Sequence, residues 1–214
     1  MPFEHLFMLY VAKEACFLDL MEAEDSPEQH INRCSSVYLN TPDLNILAQN
    51  EDVDAFGDHF FYIISVHIMN AGAQRGTVTY EEVHFTALSC PEMLPYFAFG
   101  FNKYGPAYGI NATIPVKPCI GSPPADLITR ALLSVSSVDE MVRISRNEGY
   151  GAANRFHANI ASLIHKDMWS LEVGPGKFES LLELTTIQEQ VDPENFVIIS
   201  ISTRIIILRT LCRI

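Results

Sequence analysis

A nucleophile and a carboxylate bracket one short stretch of the chain. Cys34-Ser35-Ser36-Val37-Tyr38-Leu39-Asn40 reads as one extended run and Ile46-Leu47-Ala48-Gln49-Asn50-Glu51-Asp52 as another, with Thr41-Pro42-Asp43-Leu44-Asn45 as turn chemistry between them. An antiparallel hairpin with a loop of about four or five residues sets the start of its first strand beside the end of its second. Cys34 is therefore expected next to Asp52. A thiol held by an acid is the starting point of covalent catalysis. The hairpin alone is equally consistent with a small buried hydrophobe at 34 and a turn-capping acid at 52.

The elements that must hold this hairpin are legible in outline. Phe3, Leu6, Phe7, Tyr10, Val11, Phe17 and Leu18 recur at helical spacing, which predicts an amphipathic helix up to about Met21. A polar loop over 22–33 then delivers the chain to Cys34. Strand-forming runs follow at 60–69 and 77–89, and a second hairpin over 96–102 and 107–113 turns at Lys103-Tyr104-Gly105. The proline-rich segment 114–124 allows no regular element. Helices are expected at 125–133 and, capped by Ser136 or Ser137, through Asn147, with Gly149 and Gly151 ending the second. A third hairpin spans 155–164 and 168–173. The apolar run 196–214, interrupted by Arg204, Arg209 and Arg213, reads as buried strands or a sticky tail, because a membrane span would have to bury those arginines. Strands, then two helices, then strands make an α+β domain.

Composition closes off other classes. The net charge of −12, with only 14 Lys and Arg among 214 residues, argues against a nucleic-acid surface, which needs clustered basic groups. Five widely spaced cysteines without a C-x-x-C pair suit neither a disulfide framework nor a zinc site, so no metal and no cofactor are expected. With no basic n-region and apolar h-region at the start, the expectation is a cytoplasmic protein without a membrane segment.

Cys34-Ser35-Ser36 with Gln49-Asn50-Glu51-Asp52 resembles the nucleophile segment of the penicillin acyltransferase-like cysteine hydrolases. Further segments continue the likeness in order: Glu81-Glu82-Val83-His84-Phe85, Gly100-Phe101-Asn102-Lys103-Tyr104-Gly105, Gly109-Ile110-Asn111-Ala112, Phe156-His157-Ala158-Asn159-Ile160 and Trp169-Ser170-Leu171-Glu172-Val173. It covers about residues 28 to 176 and lies nearer the β-alanyl-dopamine/carcinine hydrolase branch than the fungal acyltransferases. The resemblance implies an N-terminal nucleophile hydrolase architecture, an αββα sandwich. It divides the chain into a leading helix and loop (1–33), a hydrolase core (34–176) and a divergent C-terminal tail (177–214).

The implied chemistry is amide hydrolysis through a thioester on Cys34, with N-β-alanyl biogenic amines as substrates. Self-cleavage of the Arg33-Cys34 bond would free an α-amine that serves as base for its own thiol, with Asp52 orienting that amine. Asn102, Tyr104 and Asn111 are the implied substrate-pocket residues, while Asn50 is expected to support packing. His84 and His157 are expected to be structural, and His59 and His67 carry no role. The expected partner is a small N-acyl amine, with self-association of processed chains left open. Two positions depart from the family pattern. Arg33 stands where glycine is common, and Leu181 to Val191 lacks the His-Thr-Asn segment that supplies an oxyanion donor. An impaired member shortened at both ends, or a thiol-dependent N-acyltransferase, are the alternative expectations.

Overall fold

The computed structural model of the chain describes Glu4, His5, Met8 and residues 34–52, 60–69, 74–75, 78–79, 82–91, 94–95, 98–113, 119, 121–147, 151–176, 182–187, 196–201 and 204–209. Glu4, His5 and Met8 are helical; the rest of the expected leading helix, the loop to Arg33 and His59 lie outside the described residues.

Strands β1 (Ser35–Asn40) and β2 (Asn45–Asn50) form the first hairpin. With β12 (Phe196–Ile201) and β13 (Arg204–Arg209) they build a four-stranded antiparallel sheet in the order β13-β12-β1-β2. A larger sheet takes in β3 (Tyr62–Met69), β6 (Glu82–Ser89), β7 (Phe99–Asn102), β8 (Pro106–Thr113), β9 (Arg155–Ser162), β10 (Met168–Val173) and β11 (Leu182–Ile187). Its order is β11-β10-β9-β8-β7-β6-β3, so after β3 each strand lies beside its sequence neighbour. Two short strands, β4 (Gln74–Arg75) and β5 (Val78–Thr79), pair with each other.

The segment after residue 176 joins the body of the protein. β11 extends the large sheet from β10, and β12 pairs with β1 from Ser35↔Ile201 to Tyr38↔Ile198. The described part of the apolar run thus forms strands, Phe196–Ile201 and Arg204–Arg209, and the hairpin that carries Cys34 is flanked by the first of them.

Helices α1 (Ala125–Leu132) and α2 (Val138–Arg146) cover one face of the large sheet. Strand alternation sends Val83, Phe85, Ala87, Tyr108, Ile110, Phe156, Ala158, Ile160, Leu171 and Val173 to that face, where they bury against Ile128, Leu132, Leu133 and Met141. Each large side chain removed from water there contributes roughly 1.5 to 3 kcal/mol. Ser137 caps α2 by accepting from the Glu140 N–H at 3.2 Å, with Asp139 and Glu140 in the first turn. Asn147, in the left-handed region at φ 44, ends the helix, and Gly151 N–H donates to the Arg146 carbonyl. Termination therefore falls on the asparagine, ahead of the expected glycines.

The opposite face of the large sheet receives the four-stranded sheet. Helices, large sheet and small sheet give three stacked layers of the expected α+β αββα sandwich.

Candidate active site

Loop length decides which acid meets the thiol. Thr41 N–H donates to the Leu44 carbonyl at 2.9 Å, and the Thr41 hydroxyl accepts from Leu44 N–H at 3.0 Å, closing the turn between Asn40 and Asn45. The register then runs from Asn40↔Asn45 to Ser35↔Asn50, and one step further sets Cys34 opposite Glu51. The Cys34 Sγ donates to Glu51 Oε2 at 2.9 Å. Opposition to Asp52 would need a loop one residue longer. The expected carboxylate is thus corrected from Asp52 to its neighbour.

Strand parity makes the same distinction. On β1 the residues facing the large sheet are buried: Cys34, Ser36, Tyr38 and Asn40. On the inner side of β2 stand Asn45, Leu47 and Gln49, with Glu51 continuing the alternation, while Asn50 and Asp52 are exposed. Asn50 donates to Asp52 Oδ1 at 2.8 Å, so those two share the outer side of the hairpin end.

The inner side chains form a connected polar layer between the sheets. Gln49 Nε2 donates to Glu51 Oε1 at 2.8 Å, to the Ile110 carbonyl at 3.0 Å and to Asn111 Oδ1 at 3.0 Å. Ser36 Oγ bonds Gln49 Oε1 and Asn111 Oδ1, and it accepts from Asn159 Nδ2 at 2.8 Å. Tyr38 OH donates to Asn159 Oδ1 at 2.7 Å. Gly109 makes room for this layer, since a Cβ there would sit 2.3 Å from Gln49 Oε1.

Desolvation dominates the electrostatics. Burial raises the Glu51 carboxyl to about 7, opposed by its bonds from Cys34 and Gln49 and assisted by the nearby charge of Asp52. Burial likewise pushes the Tyr38 hydroxyl well above its ordinary range. His157, bonded to Ser170 Oγ at 2.6 Å, is pushed down by burial. A carboxyl poised near neutrality against a thiol can exchange a proton with it at physiological pH.

The expected pocket residues separate. Asn111 is buried in the polar layer next to Gln49. Asn102 faces the helices, donating to the Leu133 and Val135 carbonyls at 3.2 and 2.7 Å and accepting from Tyr104 N–H at 2.9 Å. Tyr104 OH donates to the Glu82 carbonyl. The large sheet therefore stands between Asn102 and the thiol, and the pocket assignment of Asn102 is corrected to a structural one. A groove of about 500 Å³ runs instead along β2, lined by Leu47, Gln49, Phe99, Phe101, Tyr108 and Leu163 among others.

His84 is half-buried and stacks on exposed His67 with ring centroids 5.1 Å apart. Among the described residues no group of three or more His, Cys, Asp or Glu could hold a metal ion, and no helix is long and apolar enough to cross a membrane. Arg33 lies outside the described residues. The reading of the sequence missed Ser36, Tyr38, Gln49, Glu51 and Asn159. The signal was the period-2 run of Cys, Ser, Tyr and Asn along β1, polar at every position facing the core.

The family described as acyl-coenzyme A:6-aminopenicillanic acid acyl-transferase matches residues 39–182. The chain belongs to this acyl-transferase family. The match begins inside β1, after Cys34, and takes in Gln49, Glu51, Asn111 and Asn159. The β-alanyl-dopamine/carcinine hydrolase of Drosophila melanogaster is 26% identical over 190 residues, which are 86% of this chain and 48% of that protein. The chain thus spans about half the length of this relative. Penicillin V acylase from Agrobacterium tumefaciens superposes with a TM-score of 0.47 at 14% identity, over 75% of this chain and 53% of its own.

Proposed function

We propose that this acyl-transferase family member is a cysteine amide hydrolase of the N-terminal nucleophile type that releases β-alanine from N-β-alanyl amines such as β-alanyl-dopamine and carcinine. The observation that carries the reading is the Cys34 thiol hydrogen-bonded at 2.9 Å to a carboxyl raised to about 7. The name of the 26% identical relative supports the substrate class. Cleavage of the Arg33-Cys34 bond gives residue 34 a free α-amine. That amine, with a reference value near 8, takes the thiol proton during turnover. Glu51, hydrogen-bonded to the Cys34 thiol, holds the sulfur in place for this transfer. The thiol attacks the substrate carbonyl, the amine product leaves with the proton, and water hydrolyses the thioester.

The test is incubation of the purified chain and Cys34→Ala with N-β-alanyl-dopamine and with carcinine, reading free β-alanine. Release by the wild type and none by Cys34→Ala is the expected result. No release from protein cut before Cys34 removes the hydrolase reading. Acyl transfer is the second reading, favoured by the family's description. It predicts that an added amine captures the acyl group in preference to water.

A further inference from the structure

The α-amine that serves as base in turnover does not exist until the chain has been cut, yet the cut itself requires the thiol to lose a proton. We infer that Glu51 is the general base for Cys34 while residue 34 is still inside the chain, and that it thereby drives self-cleavage. For its reaction this rests on the self-processing reading above. For its proton transfer it rests on the hairpin geometry alone.

Glu51 Oε2 lies 2.9 Å from Sγ, and Gln49 Nε2 fixes the other oxygen from 2.8 Å. Gln49 is held in turn by the Ile110 carbonyl, Asn111 and Ser36, and Gly109, lacking a Cβ, leaves room for its side chain. The carboxylate is thus aimed at the sulfur by a half-buried amide that is itself hydrogen-bonded to β1 and β8. The groups acting on Glu51 are the thiol from β1, the Gln49 amide from β2 and the Asp52 carboxylate that follows β2; β8 contributes uncharged groups through Gln49. With its carboxyl raised to about 7, roughly half of it is ionised at neutral pH and basic enough to accept a proton.

The step balances as an N-to-S acyl shift. The thiol proton passes to Glu51 Oε2 as sulfur adds to the Arg33 carbonyl carbon. The same proton then passes to the departing Cys34 nitrogen as the C–N bond breaks. One water hydrolyses the thioester, releasing the Arg33 carboxylate, the thiol and the α-amine, with Glu51 returned to its starting state.

The experiment uses the full chain, brought from denaturant by dilution into buffers from pH 5.5 to 9. Intact mass follows scission before Cys34, starting from the 24.0 kDa chain. Peptide mapping follows iodoacetamide alkylation of Cys34 in the uncut fraction. Both rates are expected to rise through about pH 7. Glu51→Gln is expected to lose that limb, with scission slowed about 100-fold or more, leaving only the rise near the ordinary thiol value of about 8.5. Glu51→Asp, which keeps a carboxylate, retains the limb. A wild-type alkylation profile without a limb near 7 overturns the inference with no variant needed. So does a Glu51→Gln profile, or scission rate, that superimposes on wild type. A wild-type chain that stays whole but keeps the Glu51-dependent alkylation limb leaves the base in place and removes self-processing instead.

Discussion

The two faces of the large sheet are built to opposite rules. On β9 the side chains Phe156, Ala158 and Ile160 pack on the helix side, while their alternates His157 and Asn159 are buried on the opposite side, where Asn159 reaches Ser36 of the small sheet and His157 bonds Ser170. The first face is mainly apolar and close-packed, with a few polar groups such as Asn102 tied to helix-end carbonyls. The second is buried just as deeply, and every polar group in it must find a partner or cost about 1 to 3 kcal/mol. Such a layer fixes positions to hydrogen-bond tolerance, which is what a thiol and its acid require. Stability is therefore concentrated on one face and chemical placement on the other.

The sharpest way to break that contrast is to remove the charge from the placement side. Glu51 titrates at about 7 when folded, against an ordinary 4.5, so the folded chain holds its proton more tightly. The resulting stabilisation is complete below pH 4.5, fades as pH rises and is gone above 7. Over that window it amounts to roughly 3 kcal/mol. Glu51→Gln stays neutral throughout, so its stability relative to wild type should climb by about that amount from pH 4.5 to 7, as read by urea unfolding. His157, lowered by burial, acts in the other direction by losing stability as pH falls below about 6.5. It is common to both proteins and cancels in the difference. A flat difference would mean that burial does not raise Glu51, and that the placement face costs nothing.

Two glycines on adjacent strands sharpen the comparison. A Cβ on Gly100 would meet Leu133 Cδ2 at 2.4 Å on the helix side, and one on Gly109 would meet Gln49 Oε1 at 2.3 Å on the polar side. Either alanine should destabilise by about 1 to 3 kcal/mol through overpacking. Gly109→Ala should also pull Gln49 from Glu51. Losing a donor to the carboxylate moves the limb in Cys34 alkylation to higher pH, whereas Gly100→Ala should leave it in place. Equal behaviour of the two variants in alkylation would show that the faces are not separate.

Much of this arrangement was legible in the sequence. The hairpins at 34–52, 99–113 and 155–173 and both helices fall within a few residues of their expected places, because alternation, turn residues and Ser137 are local signals. The α+β class followed from their order. What failed was non-local or sensitive to a single residue. Composition constrains a turn to four or five residues, and that one residue separates Glu51 from Asp52 as the partner of Cys34. The pairing of β12 with β1 joins residues far apart in the chain, so nothing in the apolar run announced that it would flank Cys34. The polar inner face of β1 was readable by parity but was passed over in favour of asparagines farther along.

Asn102 gives the last and smallest test. The family resemblance implies a substrate-pocket position for it, whereas the structure puts it on the helix face, where its amide ties down the Leu133 and Val135 carbonyls between α1 and α2. Asn102→Ala removes those bonds at about 0.5 to 1.5 kcal/mol each. The melting temperature should fall, while the pH limb of Cys34 alkylation and, in the proposed hydrolysis of N-β-alanyl-dopamine, the KM stay where they are. A raised KM at unchanged stability would put this side chain in contact with substrate. Placement would then extend to the helix face, because the sheet that now separates Asn102 from the thiol could not be an effective wall.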